Sequence, residues 1–205
     1  MTNRKPLLVG ITGGIGAGKS LIAQIFSLLG IPVYNADSRA KWLMAHDTLL
    51  KEDIRTRFGD SAFTPEGTLN SRYLAERVFA DPRETEEINQ LVHPVVGQDF
   101  MDWASKQTTN YLLKEAALLF ETGSYRQLDC TIHVTAPWQL RVERVLKRDP
   151  HRSRKQIVQI MEKQWEDDKK NKLATYVVPN DERELVIPQV LSIHKDISQR
   201  ASSSS

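Results

Sequence analysis

Short apolar runs alternate with stretches of helical periodicity along most of this chain. The runs are Leu7 to Ile11, Ile31 to Tyr34, Tyr111 to Leu113, Cys130 to Val134 and Tyr176 to Val178. After the first run, Ile22, Ile25 and Phe26 fall on one helix face, and Gly30 is placed to end that helix. This alternation predicts a parallel sheet of five strands with helices on both of its faces.

The segment 38–106 interrupts the alternation, because it contains several helical stretches in succession and no clear strand. We therefore expect an inserted helical subdomain. Thr64 to Gly67 is typical of a turn between two of its helices. The helical signals are an apolar repeat of four at Leu50, Ile54 and Phe58, a helix start at Asp81-Pro82, and an apolar face with Phe100 and Trp103.

Two further segments stand apart from the predicted core, which comprises residues 1–37, 107–150 and 173–200. Residues 151–172 are polar around a short apolar stripe of Ile157, Ile160 and Met161, a pattern typical of a mobile helical lid. Residues 201–205 end in a run of serines and are predicted to be a disordered tail.

Composition excludes several classes of protein. The 205 residues carry 28 basic and 26 acidic side chains, too balanced for a nucleic-acid binder that depends on a basic field. No apolar run approaches a membrane span, and Thr2 to Pro6 lacks the apolar stretch of a secretory signal. The single cysteine, Cys130, lies in an apolar strand, which favours a packing role and a reduced, cytoplasmic location. The five histidines show no metal-ligand spacing.

A phosphate-binding loop directly follows the first predicted strand. Gly13 is followed by four residues and then by Gly18, Lys19 and Ser20, the spacing of a P-loop. Backbone N–H groups of such a loop surround phosphate oxygens, and the helix that follows adds its positive dipole end. The lysine reaches the outer phosphates and the serine hydroxyl binds Mg²⁺. The sequence therefore predicts a three-layer α/β/α fold of the P-loop NTPase type that binds a nucleotide with Mg²⁺.

Two carboxylates follow predicted strands and so lie at the edge of the sheet where ligands bind. Asp37 comes after the second strand, where it could accept a proton from an attacking hydroxyl or bind a metal-bound water; it could also cap the next helix. Glu115 comes after the third strand, where it could orient a magnesium-bound water or be a solvated carboxylate.

Arginines near the predicted lid are candidates for phosphate and base contacts. Arg144 and Arg148 share one helix face, so one could stack on a base while the other binds phosphate, although a solvated helix face would look the same. Arg154 lies near the tip of the lid, where closure could bring it onto the transferred phosphoryl group. His93 precedes Pro94, which we expect to end a helix, so His93 is a structural corner, a substrate contact, or both.

The loop by itself leaves the reaction open, because kinases, motor ATPases and switch GTPases share it. A switch GTPase needs an Asp-x-x-Gly segment and an Asn-Lys-x-Asp base reader. Neither occurs, and the nearest sequence, Asn171 to Ala174, lacks the aspartate. A carboxylate near the loop, an inserted domain and an arginine-bearing lid favour a small-molecule kinase. A nucleoside or nucleotide kinase and a non-catalytic ATP-binding regulatory protein remain the alternatives.

The motifs taken together resemble the dephospho-coenzyme A kinases over nearly the whole chain. The matching segments are Ile11 to Ser20, Asn35 to Asp37, His93-Pro94, Leu118 to Glu121, Arg144 to Asp149, and Val177 to Asp181. The sequence departs from the family pattern at Asn35, often an aspartate, at Leu21, usually a threonine, and at Glu115 to Ala117, which replaces an Asp-Val-Pro-like segment.

This resemblance implies transfer of the ATP γ-phosphoryl group to the ribose 3′-hydroxyl of dephospho-coenzyme A (dephospho-CoA), by a monomer or a weak homo-oligomer. It implies a catalytic set of Asp37 as the base with Lys19, Arg148 and Arg154, and a magnesium contact from Ser20. The implied substrate contacts are Asp37, His93, Leu118 and Glu121. The implied nucleotide contacts are Gly13, Gly14, Ile15, Gly16, Ala17, Gly18, Lys19, Ser20, Leu21, Arg144 and Asn180.

Overall fold

The computed structural model describes residues 5–203, with Phe79 by its backbone alone. Five strands form one parallel sheet in the order β2-β3-β1-β4-β5, which confirms the predicted α/β class. The strands are β1 (Leu7–Gly13), β2 (Val33–Asn35), β3 (Tyr111–Glu115), β4 (Cys130–Thr135) and β5 (Tyr176–Pro179). Thr2 to Arg4, part of the segment without the apolar stretch of a secretory signal, lie outside the described residues.

Helices follow the strands and fill the insertion. They are α1 (Lys19–Leu28), α2 (Ala36–His46), α3 (Thr48–Phe58), α4 (Ser71–Ala80), α5 (Pro82–Ala104), α6 (Trp138–Arg148), α7 (Arg154–Glu162), α8 (Asp167–Leu173) and α9 (Val186–Ser203). Short 3₁₀ turns occur at Asp60–Ala62 and Ser124–Gln127. The chain divides into a sheet unit, residues 1–35 and 107–205, and a helical unit, Ala36–Lys106.

Strand alternation shows that helices cover both faces of the sheet in the sheet unit. On β4, Ile132 and Val134 belong to the main core cluster together with buried residues of α1 and α9. His133, between them in sequence, points to the opposite face, where its Nδ1 lies 2.8 Å from Oδ1 of Asn171 in α8. Phe26 of α1 packs edge-on against Tyr111, with ring centroids 6.4 Å apart. The two helical layers required by a buried parallel sheet are therefore present.

The helical unit has its own buried face. Leu50, Ile54 and Phe58 of α3 are buried, as their spacing predicts. Between α2 and α5, Arg39 donates two hydrogen bonds to Asp99, at 2.8 and 2.7 Å. The turn predicted at Thr64 to Gly67 is confirmed, since the Gly67 N–H donates to the Thr64 carbonyl at 2.8 Å.

The prediction that Pro94 ends a helix is wrong. Helix α5 begins at Pro82, with Asp81 as its N-cap, and continues through Pro94 to Ala104. Proline removes one backbone hydrogen bond from a helix, but Val92, Val96 and Phe100 are buried on the packed face around it. Burial of that face outweighs the local cost, so His93 lies within a helix and not at a corner.

Two segments near the end of the chain have contacts that the sequence does not show. Within the predicted lid, Lys170 of α8 is fully buried and its Nζ lies 2.8 Å from Glu121 Oε1. The predicted disordered tail is helical as far as Ser203, since Ala201 is buried and the Ser202 hydroxyl donates to the Ser198 carbonyl. Ser204 and Ser205 lie outside the described residues.

Cys130 is buried at the start of β4, as the apolar run predicts. Burial, the main cause, raises the pKa of its thiol to about 11, so the side chain is a neutral packing group. Across residues 5–203, none of the helices combines the length and the apolar character needed to cross a membrane.

Candidate active site

The predicted phosphate loop connects the end of β1 to the start of α1. Gly18 precedes the helix with φ 93°, a left-handed conformation that suits glycine, and the Ala17 N–H donates to the Gly14 carbonyl at 3.0 Å. Helix α1 begins at Lys19, so its first N–H groups and the positive end of its dipole face the loop. The loop therefore has the form of an anion site at a helix N-terminus.

Glu115, at the end of β3, collects three donors beside this loop. Its Oε1 accepts from Lys19 Nζ at 2.8 Å and from Ser20 Oγ at 2.7 Å, and its Oε2 accepts from Asn35 Nδ2 at 2.9 Å. The register of the parallel sheet explains this meeting, because Glu115 pairs with Asn35 on β2 and with Ile11 on β1. The carboxyl ends of three strands thus meet at the phosphate loop.

The Glu115 carboxylate is buried and ionised. Burial alone raises the pKa of this group, but the hydrogen bonds and charge of Lys19, together with the bonds from Ser20 and Asn35, outweigh burial and leave the pKa below its usual value. Of the two interpretations left open by the sequence, a solvated carboxylate is wrong, because only 5% of the Glu115 side chain is exposed.

A second group of side chains holds the loop from β5. Asn180 Nδ2 donates to the Ala17 carbonyl at 2.8 Å, and the Asn180 N–H donates to the Thr135 carbonyl at 2.8 Å. Arg144 of α6 donates to the Asn180 carbonyl at 3.0 Å and to Glu182 at 3.1 Å. Two predicted nucleotide contacts, Arg144 and Asn180, thus lie together beside the loop, and Arg144 is held by two partners and is not simply a solvated helix-face residue.

Ile15, near the tip of the loop, is held by two residues that are not among the predicted site residues. Its N–H donates to Gln164 Oε1 at 2.9 Å, and its carbonyl accepts from Arg141 Nε at 3.0 Å. Arg141 lies beside Val142 and Val145 on the buried face of α6, so an arginine at an apolar position was the available signal. Gln164 lies between α7 and α8 and carries no comparable signal in the sequence.

The arginines predicted to act on the phosphoryl group lie at the two ends of the connection between α6 and α7. Arg148, with 63% of its side chain exposed, pairs with Asp149 at 2.9 Å. Arg154 donates to Gln139 at 3.1 Å and lies over the Trp138 ring. Within the described part of the chain, no hydrogen bond or ion pair joins either arginine to the loop.

The predicted substrate contacts divide between the two units. Asp37, in the first turn of α2, and His93, on α5, are exposed residues of the helical unit. Because α2 begins at Ala36, Asp37 lies inside the helix and is not its cap. In the sheet unit, Leu118 is exposed, whereas Glu121 is 12% exposed and accepts from the Trp165 N–H in addition to pairing with Lys170.

The donors at the loop suit Mg²⁺ only in company with phosphate. Among residues 5–203, no group of three or more histidine, cysteine or acidic side chains is arranged to hold a metal. Ser20 Oγ and the ionised Glu115, 2.7 Å apart, supply hard oxygen ligands. Mg²⁺ is commonly held by one or two such groups with phosphates and water, so these residues fit it.

Comparison with known structures defines the class of protein. A crystal structure from Thermus thermophilus matches 96% of this chain and 98% of its own, with a TM-score of 0.81 and 31% identity. Shikimate kinase from Acinetobacter baumannii shares the fold at a TM-score of 0.56 and 13% identity. These comparisons place the chain in the α/β fold class that both proteins share.

The sequence comparisons give the family. A family profile described as dephospho-CoA kinase matches residues 7–185. A Bacteroides fragilis protein of that name is 36% identical over 186 residues, 90% of each chain, and one from Porphyromonas gingivalis is 34% identical over 187 residues, 91% of this chain and 92% of its own. The chain belongs to the dephospho-CoA kinase family, whose reaction is the ATP-dependent phosphorylation of dephospho-CoA in coenzyme A synthesis.

Proposed function

We propose that this chain transfers the γ-phosphoryl group of ATP, bound at the loop from Gly13 to Leu21, to the ribose 3′-hydroxyl of dephospho-CoA, with the helical unit holding the acceptor. The observation that carries the proposal is the meeting of Lys19, Ser20 and Asn35 on the ionised Glu115, beside the N-terminus of α1. Cations, a hydroxyl and a carboxylate are the groups that phosphoryl transfer requires at one place.

Lys19 and the loop amides bind the outer phosphates in this proposal. Lys19 Nζ lies beside the loop, where it pairs with Glu115, and a phosphate oxygen would become a second partner for its charge. Arg144 and Asn180 support the nucleotide side, since their contacts hold the Ala17 carbonyl and the end of β5. Preorganised donors of this kind stabilise developing charge without reorganisation during the reaction.

Ser20 and Glu115 are the residues that would hold Mg²⁺, the serine directly and the carboxylate directly or through water. Bound there with the nucleotide, the ion would offset negative charge on the phosphates. Asn35 supports this arrangement because its amide fixes the second oxygen of Glu115. The amide thus orients the Glu115 carboxylate.

Asp37 accepts the proton of the attacking hydroxyl in this proposal. It follows Asn35 by two residues, so covalent geometry keeps their Cα atoms within about 7 Å. His93 and Leu118 contact dephospho-CoA, and Arg148 and Arg154 approach the transferred group when the α6–α7 connection closes. All of these proposed site residues belong to one chain, so the reaction needs no residue of a second copy. This is compatible with a monomer or a weak homo-oligomer.

The test is ADP release by the purified protein with and without dephospho-CoA, with the mass of the product measured. We expect acceptor-dependent release and a product heavier by one phosphate. Parallel assays with nucleosides and nucleoside monophosphates test the other kinases that the sequence left open. Saturable ATP binding without acceptor-dependent release would identify a regulatory protein and contradict the proposal.

The role of Asp37 gives a first prediction. Asp37→Asn keeps the shape of the side chain but removes its basicity, so turnover should fall by about a hundredfold or more while ATP still binds. Steady-state kinetics and equilibrium ATP binding measure the two effects. Asp53→Asn, at an exposed position of α3, is the matched control and should leave both unchanged. Near-normal turnover of Asp37→Asn would remove Asp37 from its role.

A further inference from the structure

Ile15 of the phosphate loop makes three separate contacts with residues outside the loop. Its N–H and its carbonyl are bound by Gln164 and Arg141, as described above. Its side chain packs against the cluster formed by Val142, Val145, Ile157 and Met161 of α6 and α7. Both polar groups and the side chain of one loop residue are therefore fixed from outside the loop.

Arg141 is itself fixed, so it can act as an anchor. It is 7% exposed, and its Nη1 lies 3.3 Å from Asp167 Oδ2. The same Asp167 oxygen accepts from the Thr135 hydroxyl on β4 at 2.7 Å. The anchor thus runs from the sheet through Asp167 and Arg141 to the loop, and a buried guanidinium with these partners has little freedom to move.

Arg141 also accounts for a glycine of the motif. A Cβ at Gly14 would lie 2.0 Å from Arg141 Nη2, far inside contact distance. Gly14 is followed by Ile15, the residue whose carbonyl Arg141 binds. The guanidinium therefore occupies the space that any side chain at position 14 would need.

From these contacts we infer that Arg141 and Gln164 are positioning residues for the nucleotide. They hold the Ile15 peptide, and through it the curve of the loop, in the conformation that aims its N–H groups at phosphate. Neither residue needs to touch ATP for this role. The inference rests on the proposed use of this loop for ATP. In it, the tip of the loop is held in place by one side chain of α6 and by one from the connection between α7 and α8.

Positioning of the loop before ATP arrives should affect nucleotide affinity more than chemistry. Without Arg141 and Gln164, part of the free energy of nucleotide binding is used to order the loop, so affinity falls. Once the nucleotide is bound, the loop is ordered and the transition state is the same as in the wild type. We therefore expect the KM for ATP and the Kd for ADP to rise, with a small effect on kcat at saturating ATP. The KM for dephospho-CoA should stay unchanged.

The first experiment compares Arg141→Met and Gln164→Met, which keep an unbranched side chain at each position and remove the hydrogen bonds to Ile15. We expect about a tenfold rise in the ADP Kd by titration calorimetry for each variant, as one lost charge-assisted or buried hydrogen bond predicts. The kcat should change by less than about threefold. Gln159→Met, at an exposed position of α7, is the matched control. If Arg141→Met does not fold, Gln164→Met decides the test.

The second experiment uses the contact between Gly14 and Arg141. Gly14→Ala must displace the guanidinium, so alone it should weaken ADP binding about as much as Arg141→Met does. In the Arg141→Met background, Gly14→Ala should add less than about a twofold effect. Multiplicative effects would show that the two positions act independently and would overturn the anchoring role.

Lys19→Met separates failure of this inference from failure of the proposed function. If Lys19→Met loses ADP binding while Arg141→Met and Gln164→Met bind within twofold of the wild type, the loop binds nucleotide and the positioning role is wrong. If Lys19→Met binds ADP normally, the proposed use of the loop fails and the inference fails with it. If all three variants bind ADP more weakly while Arg141→Met and Gln164→Met keep their kcat, the result supports both the proposed function and the positioning role.

Discussion

At the scale of single residues, the site depends on the negative charge of Glu115. Three donors converge on this carboxylate, and two of them, Lys19 and Ser20, share its Oε1. A neutral glutamine in its place could still accept from both through one oxygen. Its amide would meet the Asn35 amide, which can rotate to present its own oxygen. The fold should therefore tolerate the change, while the charge that fits Mg²⁺ is lost.

Glu115→Gln should accordingly raise the Mg²⁺ concentration for half-maximal activity by about tenfold, because a charged group that binds the ion directly or through water becomes neutral. Kinase assays over a series of Mg²⁺ concentrations at saturating ATP measure this effect. Glu52→Gln, at an exposed position of α3, should leave the Mg²⁺ dependence unchanged. An unchanged dependence in Glu115→Gln would exclude the carboxylate from the metal site.

The sequence predicts the loop residues because their spacing is local, but it leaves their partners unidentified. Glu115 lies 96 residues from Lys19 in the chain, and only the register of β1, β2 and β3 brings it to the loop. Arg141 stands on an otherwise apolar helix face, where a buried position and a charged side chain conflict. The structure resolves that conflict by supplying Asp167 and the Ile15 carbonyl as partners.

At the scale of elements, the strands and the helices with apolar repeats follow from the sequence, and the exceptions have a common cause. Pro94 lies inside α5, and α8 is a short helix whose Lys170 is fully buried. Local preference predicts a helix end at the first and a solvated lysine side chain at the second. Tertiary contacts, the buried face of α5 and the Lys170–Glu121 pair, override these preferences, and a single sequence does not show such contacts.

Helix α5 also offers a prediction about its own stability. Gly97 is helical and a Cβ there would meet nothing within 4 Å, so Gly97→Ala should stabilise the helical unit by about 0.5–1 kcal/mol. Thermal and urea unfolding measure the gain.

Gly59, in the same unit, is the matched comparison for this substitution. A Cβ at Gly59 would also meet open space, but φ is 83° and ψ is 168°. L-residues rarely adopt that conformation, so Gly59→Ala should destabilise by roughly 1–3 kcal/mol. The same sign for both substitutions would contradict the assignment of backbone conformation at one of them.

At the scale of the whole molecule, buried charges link the sheet to the segment after α7 and make stability depend on pH. Burial alone raises the pKa of Asp167, but His133, Thr135 and Arg141 outweigh it and lower the pKa to about 2. Because the folded pKa lies below the unfolded one, this carboxylate stabilises the fold above its unfolded pKa near 4. That contribution disappears as the pH falls from about 4 to about 2.

Asp167→Asn should therefore remove part of the pH dependence of unfolding. In the wild type, Asp167 should contribute about 2 kcal/mol to the loss of stability between pH 4 and pH 2, as its pKa shift implies. The variant should be less stable near neutral pH and should show a shallower decline in that window. Urea unfolding at a series of pH values measures both effects. Asp168→Asn, the exposed neighbour on α8, should keep the wild-type slope, because Asp168 lies at the surface. If Asp167→Asn declines as steeply as the wild type between pH 4 and pH 2, the contacts of Asp167 with Arg141 and β4 do not lower its pKa in the folded protein.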